Sequence, residues 1–76
     1  MDILQNIAEV IFETVGAENV EKEQDLKTDL GLDSLSLVAV IAGMEEKFGI
    51  EFDESDLDPS EIVSVKDLVD LAEKYI

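Results

Sequence analysis

Apolar residues recur every three or four positions in three stretches of the chain, and this spacing predicts three long helices. The first helix covers residues 2–15 and stops at Gly16, a residue type that commonly follows the last helical turn. Phe12 lies off its apolar stripe. The stripe consists of Ile3, Ile7, Val10, Ile11 and Thr14, with Leu4 and Val15 on its flank.

The second predicted helix, residues 34–48 followed by Gly49, is apolar on two faces. At about 100° per residue, its core face consists of Leu37, Val40, Ile41, Met44 and Phe48. The second face, displaced by about a third of a turn, consists of Leu35, Val38, Ala42, Glu45 and Glu46. One apolar face needs one neighbour, so a second face indicates a transient partner. The alternative is that both faces are buried inside the protein.

The last helix is predicted over residues 65–75, capped by Ser64, with Asp67 in its first turn and Lys74 in its last, where each suits the helix dipole. Its stripe consists of Val65, Leu68, Val69, Ala72 and Ile76.

Two irregular segments join these helices. Residues 17–33 form a long loop, which Leu26, Leu30 and Leu32 are expected to anchor against the helices. Residues 50–63 are acidic, with Ile50 and Phe52 expected to point into the core, and contain one helical turn around residues 54–58 that ends near Pro59. The predicted fold class is therefore all-α. It is a small four-helix bundle of three longer helices and one short helix, with a long loop between helices one and two, in a single domain over residues 1–76.

Composition limits the classes of function that the chain can have. The chain has 76 residues, no cysteine and no histidine, so it lacks disulfides, thiolate nucleophiles and the usual neutral-pH base. The chain has five lysines and twenty acidic residues. Its net charge of −15 repels nucleic acid and anionic membranes and attracts basic protein surfaces. No apolar run is long enough to span a bilayer and no signal peptide is visible, so a cytoplasmic protein without membrane insertion is expected. The protein is also expected to be a monomer.

The segment from Asp29 to Leu35, D-L-G-L-D-S-L, places Ser34 where a loop turns into the second helix. Unpaired N–H groups and the positive end of the helix dipole would favour a phosphate esterified to a serine there. The alternative is a plain helix cap, because Asp and Ser are both common at that position. Two further patterns accompany it: E-E-x-F at Glu45, Glu46 and Phe48, and S-V-x-D at Ser64, Val65 and Asp67.

Over nearly its whole length the chain resembles acyl carrier proteins, the phosphopantetheine-attachment family. The resemblance implies a carrier and not an enzyme, with 4′-phosphopantetheine, derived from coenzyme A, attached to Ser34 and holding acyl intermediates as thioesters. The implied partners are a phosphopantetheinyl transferase and acyl-transfer or synthase enzymes with basic docking surfaces. The implied recognition residues are Asp33, Leu35, Val38, Glu45 and Glu46. The implied acyl-chain pocket consists of Leu37, Val40, Ile41, Met44, Ile62 and Leu68.

Three positions depart from expectation. Ser36 and Ala39 stand where fatty-acid carriers usually have acidic residues, and Gly43 lies mid-helix, where it costs up to about 1 kcal/mol relative to alanine. Two alternatives therefore stay open: a carrier of fatty-acid synthesis, and a carrier of a specialised lipid or secondary-metabolite pathway. Because the chain begins and ends within helices, we expect a free-standing carrier.

Other function classes fit less well. A peptidyl or D-alanyl carrier is the main alternative within the family. A hydrolase using Ser34 would need a lysine base, and Lys27 and Lys47 are not at motif spacing. An acidic helical interaction module, or a calcium-binding module, is a remote alternative. The calcium hypothesis rests on Glu51, Asp53, Glu54, Asp56, Asp58 and Glu61, a spacing that lacks the EF-hand glycine, so no metal site is predicted.

Overall fold

The computed structural model describes residues 2–58 and 60–76. In chain order it contains α1 (Ile3–Val15), α2 (Ser34–Phe48), one 3₁₀ turn (Glu54–Asp56, the 54–56 turn) and α3 (Val65–Tyr75). Within those residues there is no strand, only an isolated antiparallel bridge between Asp25 and Ser64. The all-helical prediction is confirmed. The expected fourth helix is a single 3₁₀ turn, and its expected end at Pro59 lies outside the described residues.

The helix ends follow local chemistry. α1 begins at Ile3 because the Asp2 carboxylate accepts a hydrogen bond from the Gln5 backbone N–H at 3.1 Å, which makes Asp2 the cap. Gly16 and Gly49 end α1 and α2 in the left-handed conformation, with φ of 76° and 66°, and each donates its N–H to a carbonyl of the last turn. These stops are confirmed as predicted.

One core lies between the helices, and α1 packs against both α2 and α3. The buried residues are Ile7, Val10, Ile11, Leu26, Leu32, Val40, Ile41, Met44, Phe52, Ile62, Val65, Leu68, Val69, Leu71 and Ala72. Leu37, Phe48, Leu30 and Ile50 are only partly buried. The prediction for Ile76 is wrong: it follows the last helical residue and is 59% exposed, while Leu71 takes a core position instead.

Gly43 has low helix propensity but a role in the packing of α1 against α2. A Cβ built on Gly43 would lie 2.7 Å from the Val10 Cγ1, a distance too short for two carbon atoms. The absence of a side chain on α2 therefore lets α1 approach closely at this point. The close contact offsets the propensity cost that the sequence alone assigns to a glycine in mid-helix.

A group of contacts fixes the 54–56 turn to the end of α3. The Tyr75 hydroxyl donates to the Asp56 carboxylate and accepts from the Asp53 backbone N–H at 2.8 Å. Lys74 pairs with the same Asp56 carboxylate. The Phe52 and Tyr75 rings meet edge to face, with centroids 5.0 Å apart. The turn is therefore held in place by α3, and Leu57, the residue after it, is held with it.

Candidate functional site

Ser34 is the first residue of α2, and its side chain is exposed. The helix cap is the preceding residue: the Asp33 carboxylate accepts from the Ser36 backbone N–H at 2.8 Å. That hydrogen bond, chiefly, holds the pKa of the Asp33 carboxyl below its usual range, so this side chain is ionised at neutral pH. Asp33 thus fills the capping role that the alternative reading gave to the D-S pair, and the cap does not account for the Ser34 hydroxyl.

Ser34 borders a cavity of about 210 Å³ between α2 and the loops that pack on it. Its interior is apolar. The buried or half-buried side chains that line it are Leu26, Leu32, Leu37, Ile41, Leu57 and Ile62. The exposed residues at its rim are Lys27, Asp33, Ser34 and Val38. An exposed primary hydroxyl beside an apolar cavity suits a covalently attached arm that carries an apolar cargo.

The structure brings together half of the predicted acyl-chain pocket. Leu37, Ile41 and Ile62 line the cavity. Val40, Met44 and Leu68 are fully buried in the core and do not border this cavity. Leu26, Leu32 and Leu57 line it as well, although their positions in irregular segments give no periodic signal of where the side chains point.

A hydrogen bond that closes the loop before α2 helps to position Ser34. Leu26 and Leu32 are both buried, and the Leu32 N–H donates to the Leu26 carbonyl at 2.8 Å. The Leu26 N–H donates to the Val63 carbonyl at 2.9 Å, which ties this closed loop, residues 26–32, to the segment before α3. The sequence correctly predicts that these two leucines anchor the long loop. Ser34 follows Leu32 by two residues, so this closed loop helps to set its position beside the cavity.

The second face of α2 is exposed where it is apolar. Leu35 is 82% exposed and Val38 65%, and Ala39 and Ala42 are exposed beside them. The alternative in which both faces are buried is therefore wrong for these residues. Residues 34–44 carry no charged side chain, although the chain as a whole is strongly acidic.

The two glutamates at the end of α2 differ in their surroundings. The Glu45 carboxylate accepts from the Phe52 backbone N–H at 2.8 Å and is partly buried, whereas Glu46 is exposed. Lys47 pairs with Glu9 of α1 at 2.6 Å, and this contact raises the pKa of Lys47. Lys47 is therefore held as a cation, which does not suit the base of a serine hydrolase.

The acidic segment after α2 uses its carboxylates locally. Asp53 accepts from the Ser55 N–H and hydroxyl, and Asp58 accepts from those of Ser60. Between residues 2 and 76, Pro59 apart, no group of three or more acidic side chains is arranged to hold a metal ion. In the same residues, no helix combines the length and apolar character that crossing a bilayer requires.

Comparison with known proteins agrees with this geometry. The family model described as "Phosphopantetheine attachment site" matches residues 2–72. An acyl carrier protein of Nitratidesulfovibrio vulgaris (strain DP4) is 39% identical over 72 residues, 92% of each chain. One from Coprothermobacter proteolyticus is 41% identical over 76 residues, which cover 97% of this chain and 90% of that protein. One from Saccharopolyspora erythraea is 38% identical over 82% of this chain and 67% of its own. The chain therefore belongs to the phosphopantetheine-bearing acyl carrier protein family.

Proposed function

We propose that Ser34 is the residue that bears the 4′-phosphopantetheine of this carrier. Members of the family are carriers and not enzymes, and the group is covalently attached. When bound, it supplies a terminal thiol that holds an acyl chain as a thioester. The observation that carries the assignment is the exposed Ser34 hydroxyl at the rim of the apolar cavity, with Asp33 already serving as the cap.

The cavity is proposed to shelter the first part of the acyl chain. Leu37, Ile41 and Ile62 would contact it directly, and transfer of each methylene out of water is worth about 0.8 kcal/mol. Val40, Met44 and Leu68 would support that wall from the core behind it. Shelter of this kind protects a thioester-bound chain from solvent until a partner enzyme removes it. In this proposal the 54–56 turn has the role expected of the predicted short fourth helix, because Leu57, the residue after the turn, lines one side of the cavity.

The exposed face of α2 is proposed to dock the partner enzymes. Leu35 and Val38 would supply apolar contact next to Ser34, and Asp33 and Glu46 would supply negative charge. Glu45 would act mainly through its hydrogen bond to the Phe52 N–H, which fixes the chain after α2. The partners would be a phosphopantetheinyl transferase and acyl-transfer or synthase enzymes with basic surfaces, which the net charge of −15 attracts.

The pathway is proposed to be fatty-acid or related lipid or secondary-metabolite synthesis. A peptidyl or D-alanyl carrier is the alternative within the family, and the mass of the cargo on protein isolated from its native cell distinguishes the two. The single domain over residues 1–76, the monomeric state and the cytoplasmic location remain predictions from the sequence.

A loading assay tests this proposal. Incubation with coenzyme A and a broad-specificity transferase should add the mass of one phosphopantetheine to the wild-type protein and none to Ser34→Ala. Val38→Asp should fold normally but load more slowly, because its side chain is exposed and borders Ser34.

Ile41→Asp is the matched control on the core face. It should unfold the protein, since it buries an unpaired charge. Modification of Ser36 or Ser64 in place of Ser34 would refute the assignment. Unfolding of Val38→Asp as severe as that of Ile41→Asp would refute the docking face.

A further inference from the structure

Lys27 lies at the rim of the cavity together with Ser34 and Asp33. It directly follows Leu26, whose carbonyl accepts the Leu32 N–H, so the closure of the 26–32 loop brings the chain at Lys27 back beside the start of α2. We propose that the Lys27 ammonium binds the phosphodiester that joins the arm to Ser34. This inference rests on the proposed function, because it requires the arm to be on that serine.

Hydrogen bonds within the loop hold the backbone around Lys27. The Asp25 carboxylate accepts from the Lys27 N–H at 2.8 Å and from the Thr28 N–H at 3.0 Å. The Lys27 carbonyl accepts from the Gly31 N–H at 3.1 Å. Both ends of the loop are tied to the core, and Lys27 is exposed at the rim of the cavity in this arrangement of the loop.

Electrostatic repulsion at Ser34 is the reason to expect a contact between Lys27 and the phosphodiester. A phosphodiester carries one negative charge, and on Ser34 it would adjoin the ionised carboxylate of Asp33. Like charges on adjacent residues repel, and the surrounding protein is itself strongly acidic. Among the described residues that line the cavity, Lys27 is the one cation, so it is the side chain placed to offset this repulsion.

Three of the other four lysines are engaged elsewhere. Lys47 pairs with Glu9 at 2.6 Å, Lys66 with Asp70 at 3.0 Å, and Lys74 with Asp56. Lys22 lies in the same long loop but borders a different surface pocket, beside Asp2, Ile3 and Leu4, and its carbonyl accepts from the Lys66 N–H. Lys22 is therefore a matched control: an exposed lysine of the same loop, away from Ser34.

The experiment compares apo and arm-bearing forms of four proteins: wild type, Lys27→Met, Lys27→Arg and Lys22→Met. Mass spectrometry first establishes one arm on Ser34 in each. Denaturant unfolding then gives the folding equilibrium constant of both forms, and ³¹P NMR reports on the phosphodiester. The ratio of the constants, arm-bearing over apo, should fall in Lys27→Met by about 1.5- to 5-fold, the range of an exposed ion pair. Its phosphorus resonance should also move.

Lys22→Met and Lys27→Arg should match the wild type in both measurements, and high salt should remove the difference for Lys27→Met. An unchanged ratio in Lys27→Met overturns the proposal. So does a changed ratio with an unmoved phosphorus resonance, because the effect would then arise away from the arm. If no arm is found on Ser34, the proposed function is wrong and this inference falls with it. If the arm is there and Lys27→Met has no effect, only this inference falls.

Discussion

Asp67 shows how a single carboxylate organises the start of α3. It accepts from the backbone N–H groups of Val63 and Ser64, both at 2.9 Å, while the Ser64 hydroxyl caps the helix by accepting from the Asp67 N–H. This reciprocal capping box satisfies donors that a helix start otherwise leaves unpaired. The Ser64 N–H, and next the Val63 N–H, stabilise the ionised form and lower the pKa of Asp67.

Asp67→Asn should lower the free energy of unfolding at neutral pH by about 1 kcal/mol, because charge-assisted hydrogen bonds are replaced by weaker neutral ones. The folded-state pKa of Asp67 is lowered, so the stabilisation is complete above the ordinary carboxyl pKa of 3.8 and is lost as pH falls through the lowered value. Denaturant unfolding of both proteins over a pH series measures this. The difference between wild type and variant should shrink only on acidification below about 3.8.

Asp70→Asn is the control on the same helix. Its carboxylate forms an exposed ion pair with Lys66 one turn away, which stabilises little. A loss in Asp70→Asn equal to that in Asp67→Asn would show that general surface charge, and not the capping box, explains the result.

At the scale of elements, the pairing of α1 with α2 depends on a missing side chain. Val10 is buried and β-branched, so its χ1 angle has little freedom within a helix. Its Cγ1 occupies the space where residue 43 would place a Cβ. The two helices therefore meet more closely at this point than side chains on both would allow.

Gly43→Ala should destabilise the protein despite the better helix propensity of alanine. Alanine gains up to about 1 kcal/mol in propensity, but forcing extra volume into a packed site typically costs about 1–3 kcal/mol. Thermal or denaturant unfolding of the variant measures the net effect.

The double variant Val10→Ala with Gly43→Ala separates the two contributions. With the valine methyls removed, the same glycine-to-alanine change should stabilise, when measured against Val10→Ala alone. A stabilising Gly43→Ala in the wild-type background would contradict the close-contact explanation.

For the whole molecule, charge and burial oppose each other. The net charge of −15 is spread over a domain with a Cα radius of gyration of only 10.9 Å, so the folded state repels itself more strongly than the expanded chain does. The cationic side chains of Lys47, Lys66 and Lys74 each pair with a carboxylate, which relieves part of this repulsion.

Added sodium chloride should therefore raise the melting temperature of the apo protein at neutral pH, because screening weakens the repulsion. Calorimetry over a salt series measures the rise. The same series near pH 4.1, the isoelectric point of the sequence, is the control, since little net charge remains there to screen. An equal rise at both pH values would assign the effect to general salting-out.

Much of this fold is predictable because its signals are local. Helical spacing, a capping residue and a terminal glycine predict the bounds of α2, Ser34 to Phe48 with Gly49 following, and the D-S-L pattern points to Ser34. The sequence fails where tertiary contacts decide. Leu57 lines the cavity because the 54–56 turn is held against α3, and the hydrogen bond that the Phe52 N–H donates to the Glu45 carboxylate links positions with no periodic relation.

Tyr75 is an intrinsic fluorescent probe close to the cavity wall. It is the sole tyrosine of a chain without tryptophan, so the near-ultraviolet emission comes essentially from one ring. That ring touches Phe52, and its hydroxyl bonds the residue directly before Leu57, a side chain of the cavity wall. The Asp56 carboxylate, as the main cause, raises the pKa of this phenol, so its ionisation is sensitive to the same contact. We therefore expect cargo that displaces this wall to alter the tyrosine emission, which can be measured without an added label.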